Sequence, residues 1–409
     1  MSDKVLHFPQ DFLWGASTAA HQVEGNNSNN NWSEFEQQKK TVHKQSSGIA
    51  SDHYNRFEED FDIAKSLHHS IHRFSIEWSR IEPKEGLFDA KEVEHYRQVI
   101  EAIHKRGMKV MVTLLHFTTP LWFAKSGGWE RKDSVQLFVR FVEYIVNQFG
   151  ESVDFWITIN EPSGYAAKSY FFEMSPPAKK NLYKFFKVLS KLETAHKEAY
   201  FSIHRLLKHA QVGLSHYVAY TEPYRKSSLL DKMISRLLYW LSNDFFLNRI
   251  KHSIDFLGVQ YFSRIRLRFQ IGGYLGIFEE IGVLNTEYEG NKCDIGWNIY
   301  PEGLYESLKR LKKYNVPIYV TENGVADQED NKRKVFIRDH LIQLHRAIRN
   351  GVDVQGYLHW SLIDDFGWTY GKDERYGLVE IDYEKNLERT VRPSARYYAG
   401  ICKDNQLVL

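Results

Sequence analysis

Two glutamates stand directly after apolar, β-branched runs: Glu161 in VDFWITINEP and Glu322 in PIYVTENG. Other strand-like runs end the same way, in groups that a purely structural strand would not choose. Gln22 and Glu24 follow FLWGASTAA, Arg73 sits in IHRFSIEW, and His116 closes KVMVTLLH. Gln260 and Tyr261 end the run DFLGVQYF, and Trp360 lies in VQGYLHWS. Paired carboxyls can share one reaction: one protonates a leaving oxygen while the other attacks carbon or activates water, as glycoside hydrolysis requires. Arg73, an obligate cation, would keep a neighbouring carboxylate ionised. The other carboxyl, desolvated and facing a negative neighbour, would be raised and stay protonated. A lone glutamate after a strand reads equally well as a helix N-cap or a surface ion pair. The pair therefore needs a scaffold that brings its members together.

The chain supplies one in its rhythm. Tyr96, Val99, Ile100 and Ile103 follow the spacing of one helix face, Gly107 stops the helix, and KVMVTLLH follows. Phe138, Phe141, Val142, Ile145 and Phe149 repeat the pattern before Gly150 and VDFWITINEP. Leu304, Leu308 and Leu311 precede Asn315 and PIYVTENG, and His340, Leu341, Leu344 and Ile348 precede Gly351 and VQGYLHWS. Runs that are apolar on both faces, each reached from a helix, imply a parallel sheet. FLWGASTAA, IHRFSIEW, QVGLSHY at Gln211 and DFLGVQYF bring the strands to eight, the number that closes a (β/α)8 TIM barrel. An open doubly wound sheet would carry a Gly-rich phosphate turn after an early strand, and the sequence has none. Without a linker or composition break, residues 1–409 read as one α/β barrel domain. The NNSNNN tract from Asn26 reads as a polar loop, and the basic run PPAKKNLYKFFKVLSK as a solvated helix face.

Bulk properties narrow the partners. The 54 basic and 52 acidic residues nearly cancel, which gives no electrostatic case for nucleic acid or an anionic membrane. Two scattered cysteines, Cys293 and Cys402, suit neither a disulfide framework nor a metal site. With an N-terminus, MSDKVLHFPQ, that lacks an apolar core, a reducing, cytoplasmic setting is expected. No apolar stretch reaches the roughly 18 residues of a membrane span. Sixty aromatic residues, 26 Phe, 24 Tyr and 10 Trp, suit either a ring-rich core or a sugar site, and composition does not separate the two.

The strings FLWGASTAAHQVEG, HRFSIEWSRIEP, TLLHFTTPLWF, WITINEP, YVTENG and HWSLIDDFGW closely resemble glycoside hydrolase family 1, in the family's order and over nearly the whole chain. Their wording is closer to archaeal-type members than to plant β-glucosidases, and the chain is short for the family. The resemblance implies a retaining exo-β-glycosidase that needs no cofactor or metal and takes a small-molecule or oligosaccharide β-glycoside. It implies Glu161 as acid/base, Glu322 as nucleophile, and Arg73 and Asn160 as their partners, with Asn160 on the sugar 2-hydroxyl. It places Gln22, His116, Trp360 and Trp368 on the terminal sugar and Trp297 under the aglycone.

Two positions depart from the family pattern. The tyrosine that usually bonds the nucleophile is Phe262, and the glutamate that usually grips the 4- and 6-hydroxyls is Gly367. The phospho-glycosidase branch carries a serine and a lysine where Gly367 and Glu374 stand, so phosphate recognition is not expected. The space left at Gly367 is expected either to admit deoxy or xylo-type sugars or to be partly refilled by Asp365. A sugar-binding protein on a degenerating catalytic scaffold, and transfer to an acceptor other than water, remain alternative readings. Glycone, aglycone, linkage and oligomeric state are not written in the sequence.

Overall fold

A computed structural model describes residues 5–269 and 292–409. Eight parallel strands close into a barrel: β1 (Leu13–Ser17), β2 (Ile71–Ser75), β3 (Lys109–Leu115), β4 (Phe155–Asn160), β5 (Gln211–Tyr217), β6 (Phe256–Gln260), β7 (Ile318–Asn323) and β8 (Val354–Trp360). Each pairs with its sequence neighbours, and β8 closes on β1 through Gly356↔Leu13 to Trp360↔Ser17. These are the eight runs expected from the sequence, in the same order.

The main helices are α1 (His53–Ser66), α2 (Ala90–Lys105), α3 (Ser134–Phe149), α4 (Pro162–Tyr170), α5 (Leu182–Leu206), α6 (Leu229–Tyr239), α7 (Phe245–Ile250), α8 (Pro301–Leu311), α9 (Arg333–Arg349) and α10 (Pro393–Asp404). Their stripes are buried as the spacing predicts: Tyr96, Val99, Ile100 and Ile103 on α2, and Phe138, Phe141, Val142, Ile145 and Phe149 on α3. Asp89 caps α2 by accepting from the Lys91 amide at 2.9 Å. Gly107 ends it at φ 72°, a conformation open to glycine because no Cβ meets the following carbonyl.

The barrel floor is apolar. Ile71, Met111, Phe155, Ile157, Phe256, Tyr319 and Leu358 pack inside it, with the Phe155 ring 5.6 Å from Phe256 and 5.1 Å from Tyr319. Because strand side chains alternate, Arg73 and Thr113 lie two residues above Ile71 and Met111 on the same inward face. Near Glu161 and Glu322 the alternation breaks. Register shifts fall between Ile157 and Asn160 in the β4–β5 pairing, and between Val320 and Glu322 in the β6–β7 pairing. Such irregularities re-aim side chains at a barrel rim.

The NNSNNN tract is more ordered than a plain polar loop. Asn27, Asn30 and Asn31 are buried, and Asn30 caps the short helix Asn31–Gln37. The basic run from Pro176 leads into α5; Lys179 before the helix and Lys184 on it pair with Glu130, while Leu189 is buried. Among the described residues, no helix is long and apolar enough to cross a membrane.

Candidate active site

The C-terminal mouth of the barrel opens into a cavity of about 440 Å³. Gln22, His116, Glu161, Trp297, Glu322, Trp360 and Trp368 all line it. Arg73 and Asn160 lie directly behind, fully buried. The nine residues named from the sequence thus come together. Glu24 does not join them: it accepts from Arg80 Nε and Tyr96 Oη, both at 2.8 Å, and holds α2 against the barrel.

Glu161 follows β4 at φ 44° and occupies the N-cap position of α4, with Pro162 at the first helical turn. A non-glycine residue in that region is strained, and its carboxyl makes no capping bond. It turns to the cavity instead, so the helix-cap alternative fails here. Gly164 makes room for it, since a Cβ there would lie 2.8 Å from Glu161 Oε2. One face of α4 also brings Lys168 Nζ to 3.4 Å from that oxygen.

Glu322 ends β7. Its Oε1 accepts from Arg73 Nη1 at 2.5 Å and from Gln260 Nε2 at 2.5 Å. Arg73 also donates to Asn160 Oδ1 at 2.6 Å and to Thr113 Oγ1 at 3.0 Å, and Gln260 reaches the same Asn160 oxygen at 2.6 Å. Gln260, one methylene longer than an asparagine, thereby bonds Glu322 where Phe262 cannot. Phe262 instead lies 6.4 Å from Trp297 and 5.9 Å from Tyr376, edge to face. The polar end of DFLGVQYF signalled Gln260, but its length gave no partner. Lys168 was also missed, although its spacing of seven from Glu161 places both on one helical face.

Electrostatics depart from the sequence expectation. Burial pushes the Glu322 carboxyl up, to about 7; the Arg73 charge opposes this and the Glu161 charge adds to it. Arg73 therefore moderates the shift without overcoming burial. A carboxyl this deeply buried resists ionisation even with a guanidinium beside it. Burial, with Arg73 and Lys168 nearby, holds His116 well below its ordinary value. Neutral His116 faces Asn160 Nδ2 at 3.1 Å through Nε2, and Nδ1 has no partner among the described residues.

The space expected at Gly367 is already occupied. A Cβ there would lie 2.1 Å from Glu374 Oε2. Glu374 is 6% exposed, lines the cavity, and makes no hydrogen bond among the described residues. Asp365 is wholly buried in the same wall; its Oδ1 accepts from Gln22 Nε2 at 3.2 Å, while Asp365 Oδ2 and Gln22 Oε1 lack partners among the described residues. Burial raises both carboxyls well above the ordinary range; the Asp364 and Glu322 charges add to the shift at Asp365, and the Asp365 charge adds to that at Glu374. The preceding Asp364 points away, held by Arg392 at 2.8 and 3.0 Å. Unpaired polar atoms in a buried wall are costly.

A closed parallel barrel with paired glutamates, aromatic walls and unpaired polar atoms at its mouth defines a glycoside-cleaving barrel enzyme. The chain belongs to glycosyl hydrolase family 1, whose model matches residues 5–250 and 243–407. It is 30% identical to beta-glucosidase A of Thermotoga maritima over 450 residues, covering 98% of this chain and 99% of that protein. It resembles the solved beta-glycosidase from Pyrococcus horikoshii with a TM-score of 0.92 and 34% identity, over 99% of this chain and 96% of that one. A galactolipid galactosyltransferase of Arabidopsis thaliana is 31% identical over 86% of this chain and 57% of its own length.

Proposed function

We propose that this β-glycosidase removes terminal β-linked sugars by double displacement with retention. Glu322 attacks the anomeric carbon as the glycosidic bond breaks, and Glu161 gives its proton to the departing oxygen. Glu161 then takes a proton from water, which attacks the same carbon and frees Glu322. Arg73 and Gln260 hold one oxygen of Glu322, leaving the other for attack. Asn160 serves the 2-hydroxyl, and Trp297 supports the aglycone. Gln22, His116, Trp360, Trp368, Asp365 and Glu374 grip the remaining hydroxyls. A neutral carboxyl can both donate and accept, which suits a polyol better than an anion. The relatives' names, β-glucosidase and β-galactosidase, support a hexose glycone.

The observation that carries the reading is Glu322, buried against Arg73 in the cavity that Glu161 also lines. Nitrophenyl β-fucoside, galactoside, glucoside, mannoside, xyloside and glucuronide form the test panel, with NMR of the earliest product. Turnover with a retained anomeric centre, lost in Glu322→Gln, is the expected result. Inverted product, or turnover that survives the substitution, would refute it. Similarity to the galactosyltransferase favours a second reading, transfer to an alcohol in place of water by the same residues. Transfer products in the same NMR spectra would identify it.

A further inference from the structure

The cavity that holds the two glutamates is chemically two-sided. One end carries Glu161, Glu322, Asp365, Glu374 and Gln22. The rest is largely hydrocarbon. Residues 171–189 and 238–245 contribute eleven described lining residues, and ten of them are Phe, Leu or Met, with Ser242 the exception. Along α5 this wall is built by Leu182, Phe185, Phe186 and Leu189. Facing it are Leu238, Leu241 and Phe245, where the chain passes from α6 to α7 through one π-helical turn, Trp240–Asp244. Such a turn inserts a residue into a helix and re-aims its neighbours, often at a binding site.

The wall is not a sealed core. Leu182 is 56% exposed and Phe172, Met174 and Phe186 are each 41% exposed, so the apolar arm opens to solvent. Leu189, at 2%, marks its buried depth. An oligosaccharide aglycone in this arm would strand its hydroxyls, since the arm's described side chains offer one hydroxyl and no carboxylate or amide. An aliphatic chain would lose only its contact with water, the condition that favours burial.

We propose that this arm binds a long aliphatic aglycone, making β-glycosides of single-chain aliphatic alcohols the preferred substrates. The sugar sits at Glu161 and Glu322 and the chain runs between α5 and the π turn. The inference rests on the glycosidase reading above, and its test separates the two.

Hexyl, octyl, decyl and dodecyl β-glucosides, each below its micelle concentration, have leaving alcohols of equal acidity, so their relative kcat/KM reports methylene burial. A rise of about two- to fourfold per added methylene is expected until the chain passes the rim. Leu182→Ser and Phe186→Ser should flatten the series, whereas Leu87→Ser, an exposed leucine that does not line the cavity, should not. Calorimetry with the matching thioglucosides, which resist hydrolysis, should show parallel tightening and an increasingly negative heat-capacity change. A flat series in both turnover and binding overturns the proposal, as it would if another part of the chain filled the arm. Chain-length-dependent binding without turnover keeps the arm as an aliphatic-chain site and refutes the glycosidase reading. Turnover without chain-length dependence does the reverse.

Discussion

Gly367 and Glu374 are seven residues apart, and the carboxyl of one fills the volume a side chain on the other would need. Both were visible in the sequence as departures from the family, yet they read as a lost grip and a repelled phosphate. What was not legible is that the chain between them folds back so that the second residue covers the first. Side-chain reach across a turn has no sequence period. Glu374→Ala should therefore lower kcat/KM on glucosides roughly ten- to a hundredfold, the worth of one hydrogen bond to a carboxyl that strengthens in the transition state. Gly367→Glu alone should gain nothing, because the two carboxyls would compete for one volume. The double variant should recover part of the loss. A selective glucoside gain from Gly367→Glu alone would show that the space is open after all. The paired glutamates are tested by their different dependence on the leaving group. Glu322→Gly should nearly abolish turnover of every substrate, while Glu161→Gly should mainly slow those with poor leaving groups. Azide should rescue the two variants with opposite product anomers, and identical anomers would reverse the proposed roles.

Helices and strands were legible because their burial is periodic. Each β-branched run preceded by a helical stripe became a barrel strand, and Glu161 and Glu322 were placed by that count. The register shifts beside them were not legible, since they arise from pairing between strands and leave no trace in either strand alone. The asparagine tract shows the same limit. Asn30 accepts from the amides of Trp32 and Ser33, both at 2.9 Å, and its amide nitrogen lies 3.2 Å from His21 Nδ1. His21 bonds Glu36 at 2.8 Å and stacks 5.5 Å from Trp368. A polar loop thus braces an aromatic wall of the cavity. Asn30→Ala should cost about 1–2 kcal/mol of stability from the lost cap, and should raise KM for glycosides as Trp368 loosens. Asn30→Asp should restore the stability share, because its carboxylate still caps, while recovering less of KM. Chemical denaturation alongside steady-state kinetics separates the two effects, and equal recovery of both would mean the cap alone matters.

Across the whole molecule, the acidic end of the cavity sets a pH signature on folding. The Glu374 carboxyl is held well above its ordinary value of 4.5 by burial, with the Asp365 charge adding to the shift and Lys168 opposing it. Below about pH 4.5 it is protonated whether the chain is folded or not, and its contribution to stability is fully present. As the pH rises, the unfolded chain releases this proton while the folded chain keeps it. The folded state then binds more protons, so stability falls with pH by at most about 1.4 kcal/mol per unit until the folded carboxyl itself ionises. Glutamine has the same shape and no proton to lose. Its own burial without a hydrogen-bond partner costs a fixed amount at every pH. The stability of Glu374→Gln relative to the unaltered chain should therefore climb as the pH rises above about 4.5, whatever its offset at that pH. Denaturant midpoints across that range measure the slope directly. A slope of zero would mean that Glu374 is solvated, and with it would go the proposal that this buried carboxyl meets a sugar hydroxyl.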